Sequence, residues 1–156
     1  MEICVVLDNI RSLYNVGSIF RTADGLGVKK IYLAGFTPAP IGQRQKMKIH
    51  KTALGAEEFV GWEKSGQTSR LLDKLKKQGF YLLALELDKK ALDISKFKLK
   101  PRIKKIALVL GHETRGLSKA IIEKCDQTIQ IPMVGEKESL NVSVAFGIAA
   151  FCLKSK

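Results

Sequence analysis

Six short apolar runs punctuate the chain: ICVVL (3–7), KIYLAGF (30–36), EEFVGW (57–62), FYLLALEL (80–87), KIALVLG (105–111) and QTIQIP (127–132). Gly, Pro or charge bounds them, and several lack the in/out alternation of a sheet with one wet face. A strand that is apolar on both sides has to be covered on both sides, and parallel strands joined by helical crossovers achieve this. Helical patterns fill many of the intervals, at about 16–26, 66–78, 118–124 and 140–153. The expected fold class is therefore α/β, a parallel sheet flanked by helices. A chain of 156 residues holds one domain with a real core and too little for two, so 1–156 is read as a single domain.

Charge narrows the function. Lys and Arg number 27 against 15 Asp and Glu, a net charge of +12, while 46% of the residues are apolar. That apolar share excludes a disordered basic tail and favours a folded domain with an electropositive surface, for which RNA or DNA is the natural partner. Two segments read as basic connections, QRQKMKIHK (43–51) and DKKALDISKFKLKPRIKK (88–105). Either alone is an ordinary solvated loop, and two in one compact domain favour a phosphate-binding surface. Cys4, Cys125 and Cys152 show no C-x-x-C spacing, so they read as buried thiols and suggest neither a disulfide framework nor a metal site. No apolar run approaches bilayer length and the start has no signal-peptide pattern, so no membrane partner and a cytoplasmic location are expected.

In open α/β sheets ligands bind outside the carboxyl ends of the strands, which directs attention to three loops. In DNIRSLYNVGSIFRTADGLGVKK (8–30), Asn15 is expected to cap a helix whose apolar stripe is Val16, Ile19, Ala23 and Leu26 and whose stop is Gly27. Gly17, Ser18, Arg21 and Gly25 share another side, a lane of small residues with one guanidinium that admits a second backbone or a ligand and reaches for an anion. Singly, Asn15 need be only a cap and Arg21 only a surface cation.

The second loop, LVLGHETRGLS (108–118), sets His112, Glu113, Thr114 and Arg115 between Gly111 and Gly116, with Ser118 placed to cap a helix. Its glycines permit close backbone approaches, as an adenosine-like ligand held by main-chain groups needs, and the pattern is neither a P-loop nor G-x-G-x-x-G. The third, IPMVGEKESLNVSVAFGIAAFCL (131–153), begins with Ser139 as the expected cap of a helix apolar almost all round. Such a helix has to be buried on most faces, beneath a binding loop or in a homodimer interface. Ser139 and Asn141 then face the binding loop. Ile131, Met133 and Leu140 serve equally as the apolar part of a pocket or as plain core.

Three patterns, N-x-x-x-I-x-R-T-A at Asn15 to Ala23, L-x-L-G-x-E-x-x-G-L-S at Leu108 to Ser118 and I-P-M-x-G-x-x-x-S-L-N-V-S-V-A at Ile131 to Ala145, together resemble the SpoU (TrmH-like) family of RNA ribose 2′-O-methyltransferases, in the SPOUT class. The resemblance spans the chain as a minimal catalytic domain. It implies a deep trefoil knot in the C-terminal part, which no periodicity reveals because threaded chains are otherwise almost absent. It implies S-adenosylmethionine as cofactor, with its adenosine held by backbone and apolar groups around Leu110, Gly111, Ile131, Met133 and Leu140, and with Ser139 also among the cofactor-binding residues. It also implies a homodimer, in agreement with the apolar last helix, and tRNA or rRNA as substrate.

By the same resemblance Arg21 stands at the nucleophile. A ribose hydroxyl is a poor nucleophile at neutral pH, so its proton has to be taken or shared in the transition state. A guanidinium is effectively always protonated, which leaves two readings: Arg21 as a true base, or Arg21 as the group that orients RNA phosphate and stabilises the developing alkoxide. Asn15 is implied to position the ribose or Arg21, Glu113 to shape the site by hydrogen bonding, and Ser139 and Asn141 to hold the reacting groups or the cofactor tail. The competing function is a catalytically inactive protein of the same fold that binds RNA or assists ribosome assembly.

Overall fold

The computed structural model describes residues 1–156. Seven strands, β1 (Glu2–Asp8), β2 (Lys30–Ala34), β3 (Gly61–Ser65), β4 (Tyr81–Leu85), β5 (Leu92–Asp93), β6 (Lys105–Leu110) and β7 (Gln127–Gln130), form one sheet in the order β3-β2-β1-β6-β4-β7-β5. Every pairing is parallel, as the unbroken apolar runs predict. Five helices cover it: α1 (Leu13–Gly25), α2 (Gln43–Ala53), α3 (Thr68–Lys77), α4 (Lys119–Lys124) and α5 (Val142–Lys154).

Strand periodicity divides the core into two layers. Ile3, Val5 and Leu7 of β1 join Ile31, Leu33, Ile106 and Leu108 beneath α1, α2 and α5, which contribute Ile19, Phe20, Ile49 and Phe146. The intervening Cys4 and Val6, with Ala84, Ala107 and Val109, face Leu71, Leu72 and Leu75 of α3 and Ile121 of α4. Each fully buried aliphatic side chain contributes about 1.5–3 kcal/mol relative to exposure, so the doubly covered central strands anchor the fold. On α1, the small residue Gly17 admits α2 so closely that a β-carbon there would overlap Thr52 Oγ1 and the Ile49 carbonyl. Of the expected lane, Gly17 thus takes a second backbone, that of α2, while Gly25 faces open space.

Several local expectations are corrected. Ser12, not Asn15, caps α1, its hydroxyl accepting from the Asn15 N–H at 3.2 Å; the helix starts one turn earlier, freeing the Asn15 amide for longer-range bonds. Asn141, not Ser139, caps α5 by accepting from the Ser143 N–H at 2.9 Å. The basic segment 43–51 lies within α2, because Lys, Arg and Gln favour helix and Ile49 and Ala53 supply a buried stripe. Residues 57–62 are not one strand: Ala56–Glu58 is a single 3₁₀ turn and β3 follows at Gly61–Ser65. Segment 88–105 holds the short β5, and its Ile94 and Phe97 are core residues. Only Cys4 is fully buried; Cys125 and Cys152 are half-buried.

The strand order positions the site. β6 lies between β1 and β4, and β7 between β4 and β5, so strands made late in the chain fill slots between earlier ones. The carboxyl ends of β1, β6, β4 and β7 therefore lie side by side, and the loops of the second and third motifs leave from β6 and β7, on either side of β4.

Candidate active site

Leu110, Gly111, Glu113, Ile131, Met133, Ser139 and Leu140 surround one cavity of about 300 Å³ at those strand ends. Leu110 and Gly111 enter from β6, Ile131 and Met133 from the segment after β7, and Ser139 and Leu140 from the approach to α5. No backbone N–H or carbonyl of residues 131–140 takes part in a backbone–backbone hydrogen bond. Beside apolar walls, unpaired main-chain groups form a surface that recognises a flat, edge-polar group without charged side chains.

The 111–118 loop closes tightly over the β6 end. Gly116 takes φ +66°, and a β-carbon on it would collide with the Glu86 carboxylate. That carboxylate accepts from the Leu117 N–H at 2.7 Å and from its neighbour Leu87 N–H at 3.0 Å, tying the loop to the end of β4. Glu86 lines the cavity and escapes motif-level reading, although an acidic residue closing the apolar run YLLAL is a legible signal. His112, Thr114, Arg115, Gln130, Glu138 and Val142 also line the cavity.

Glu113 ties the three motifs together. Its Oε1 accepts from the N–H groups of Arg11 at 3.1 Å and Ser12 at 2.9 Å and from Asn15 Nδ2 at 3.2 Å, while Oε2 accepts from the Arg11 N–H at 3.0 Å. Burial alone raises its pKa, but the Arg11 and Ser12 N–H groups outweigh burial and, with Asn15, hold the carboxyl below its ordinary value. These amides immediately precede Leu13, the first residue of α1, and the positive end of that helix favours an anion there. Asn15 Oδ1 then accepts from Asn141 Nδ2 at 3.1 Å, and Asn141 Oδ1 accepts from the Ser143 hydroxyl at 2.6 Å. Asn15 thus joins Glu113 and Asn141, each about a hundred residues further along the chain, in one polar chain at the edge of the cavity.

Arg21 stands apart. It is exposed on α1, outside the cavity lining, six residues and about 9 Å of helix rise beyond Asn15. Six residues also turn the helix by about 240°, which places Arg21 on a different side from Asn15. Nearby, α5 exposes Val144, Ile148 and Phe151 in one helical stripe, with Phe151 62% exposed.

The SpoU rRNA methylase family model matches residues 2–151. The chain belongs to the SpoU rRNA methylase family. Among relatives, it is 33% identical over 152 residues to the 23S rRNA (guanosine-2′-O-)-methyltransferase RlmB of Coxiella burnetii, covering 94% of this chain and 56% of that protein. The chain spans about half the length of the curated relatives it matches, 56% of each. Its fold superposes on the AdoMet-bound rRNA methyltransferase from Sinorhizobium meliloti with a TM-score of 0.89 at 27% identity, over 99% of this chain and 56% of that one. It superposes on the A. aeolicus TrmH/SpoU tRNA modifying enzyme with a TM-score of 0.84 at 31% identity, over 99% of this chain and 74% of that one. The parallel sheet flanked by helices is thus the SpoU methylase fold. No helix is long and apolar enough to cross a membrane.

Proposed function

We propose that this member of the SpoU family transfers a methyl group from S-adenosylmethionine to a ribose 2′-hydroxyl of tRNA or rRNA. The observation that carries the reading is the joining of Glu113, Asn15 and Asn141 beside a cavity with apolar walls and a backbone free of internal partners. The cavity fits the cofactor: Leu110, Ile131, Met133 and Leu140 offer apolar contact to a purine, unpaired main-chain groups of 131–140 offer its edge hydrogen bonds, and Ser139 serves the polar tail. When bound, S-adenosylmethionine supplies an electrophilic methyl on a sulfonium centre.

The chain's own residues then have separable tasks. Glu113 fixes the start of α1 against the cavity loop and so holds Asn15 in place. Asn15 and Asn141 position the ribose at the rim, Asn141 doing so from the first turn of α5. Arg21 engages the sugar hydroxyl or its adjacent phosphate and stabilises negative charge as the proton departs. Because Arg21 lies outside the cavity of its own subunit, its action requires a homodimer in which one protomer's α1 faces the other's cavity. The exposed Val144, Ile148 and Phe151 stripe on α5 supports that pairing. The interleaving of β6 and β7 supports a knotted path through the C-terminal part, and the net charge of +12 supports an RNA substrate. A cytoplasmic location accompanies that substrate.

Calorimetric titration with S-adenosylmethionine, followed by incubation with cofactor and total RNA and mass-spectrometric mapping of new 2′-O-methyl nucleosides, tests the reading. Binding with new ribose methylation is expected. Methylation confined to bases refutes the ribose assignment, and absence of cofactor binding returns the protein to an inactive RNA-binding scaffold.

A further inference from the structure

On the other side of the 111–118 loop lies a second hollow, of about 560 Å³, that the methyl-transfer reading leaves unused. Four connections at strand carboxyl ends bound it: Asp8 and Asn9 at the end of β1, Phe36 after β2, Gln67 before α3, and His112 with Arg115 after β6. Phe36 is 54% exposed, an unusual position for an aromatic ring on a turn this rigid. The Phe36 N–H donates to Asn9 Oδ1 at 3.0 Å, and Lys64 Nζ donates to the carbonyls of Gly35 and Thr37 at 2.6 Å each. Thr37, fully buried, donates to the Leu7 carbonyl at 2.7 Å and accepts from the Ile10 N–H at 3.0 Å. Asn9 itself takes φ +57°, left-handed backbone that Asn adopts more readily than other non-glycine residues, and this conformation shapes the turn that faces Phe36. The turn is thus over-determined, and it holds an apolar ring in water.

The walls around that ring are polar and partly unengaged. His112 meets Phe36 edge-on, ring centroids 6.1 Å apart at 76°. Its Nδ1 accepts from the N–H groups of Thr114 at 3.2 Å and Arg115 at 3.3 Å, so the neutral ring carries its proton on Nε2. The Arg115 guanidinium joins none of the molecule's ion pairs, and Gln67 makes no capping bond to α3. An exposed ring face, an unpaired guanidinium and free amide edges are what a splayed-out base of single-stranded RNA stacks on and bonds to.

We infer that this hollow, built around the exposed Phe36 and sharing the 112–116 loop with the cofactor cavity, binds a nucleobase of the RNA next to the modified nucleotide. The inference rests on the reading of the protein as an RNA methyltransferase. The shared loop connects the two sites: occupancy of the hollow fixes the backbone that also lines the donor cavity, so a base is recognised and the catalytic loop is ordered by the same contacts.

The test titrates mixed-sequence single-stranded oligoribonucleotides carrying one 2-aminopurine into the wild-type protein and into Phe36→Leu and Phe36→Trp, reading 2-aminopurine emission and affinity. Loss of one stacking partner weakens binding roughly 5- to 150-fold. That weakening, with loss of the emission change, is expected for Phe36→Leu, while Phe36→Trp keeps both. Equal affinity of wild type and Phe36→Leu overturns the inference, and so does an equal loss in both variants, which assigns the effect to the turn rather than to the ring. Calorimetry with S-adenosylmethionine and methyl transfer to total RNA run in parallel. Transfer by a wild type that shows no emission change sinks the base subsite alone; an emission change without transfer sinks the enzymatic reading and leaves the subsite standing.

Discussion

Replacing Glu113 by Gln removes one negative charge at the junction of the three motifs while keeping the shape of the side chain. The carboxylate accepts two backbone N–H groups and the Asn15 amide. Hydrogen bonds to an ionised acceptor contribute about 1.5–3 kcal/mol against about 0.5–1.5 for neutral pairs, so two main-chain donors lose roughly 2–3 kcal/mol together. The start of α1 adds about 0.3–1 kcal/mol of dipole interaction. Glu113 is only half-buried, and solvent screening cuts the sum to about 1–2 kcal/mol. In a chain of 156 residues that lowers Tm by roughly 2–8 °C. The pH dependence has a definite sign. The folded-state pKa of Glu113 is depressed, so its stabilisation is fully present above the unfolded carboxyl value, near 4.3, and disappears as pH falls through the folded value. Urea unfolding of both proteins at pH 7, 5, 4 and 3 checks this. The gap is expected to be widest at pH 7, to hold at pH 5 and to close in acid. A gap that stays constant down to pH 3, or one below about 0.3 kcal/mol at pH 7, refutes the assignment of Glu113 as an anionic anchor of α1.

Arg21→Ala is expected to lower the rate of methyl transfer about 10²- to 10³-fold and to leave S-adenosylmethionine affinity unchanged, because in the proposed mechanism the guanidinium acts on developing charge outside the cavity; single-turnover kinetics beside calorimetry separates the two. Gly17→Ala gains about 1 kcal/mol of helix propensity, yet the new β-carbon meets Thr52 Oγ1 and the Ile49 carbonyl, and overpacking of about 1–3 kcal/mol leaves a net loss in chemical denaturation. Binding of RNA is expected to fall steeply with ionic strength, and alanines at the exposed Arg44 and Lys51 of α2 are expected to flatten the slope of log affinity against log salt by about 0.7 for each single-strand phosphate that the variant no longer neutralises. A slope unaltered by these alanines returns α2 to an ordinary solvated face.

How far the sequence announces this molecule differs from element to element. The central strands β1, β4 and β6 are legible because burial on both faces leaves no position for a polar residue, and VVL, LLAL and ALVL carry that requirement openly. The segment that becomes α2 hides its class: charge dominates QRQKMKIHK, and the two residues that bury it, Ile49 and Ala53, are too few to mark a stripe. Cap positions shift by two or three residues because Ser12, Asn15, Ser139 and Asn141 are all competent caps, and long-range bonds decide among them. Asn15 is engaged by Glu113 and Asn141, partners about a hundred residues away that no local pattern encodes. The cavity wall is readable as motif residues. Glu86 is not, since its task is to brace a loop from a neighbouring strand. Arg21 shows the limit from the other side: its motif is plain, and its place on α1 leaves it outside the cavity lining.

The strand order has a temporal consequence. β6 pairs with β1 across about a hundred residues of chain and also with β4, so the slot between them has to stay open until most of the polypeptide is available. Contacts of such long range make for slow folding, because loop-closure entropy is lost before any pairing repays it. The candidate cavity, assembled from the ends of β6 and β7, is then among the last features to mature, and a nascent chain that has not yet reached Ile131 to Leu140 lacks one of its walls.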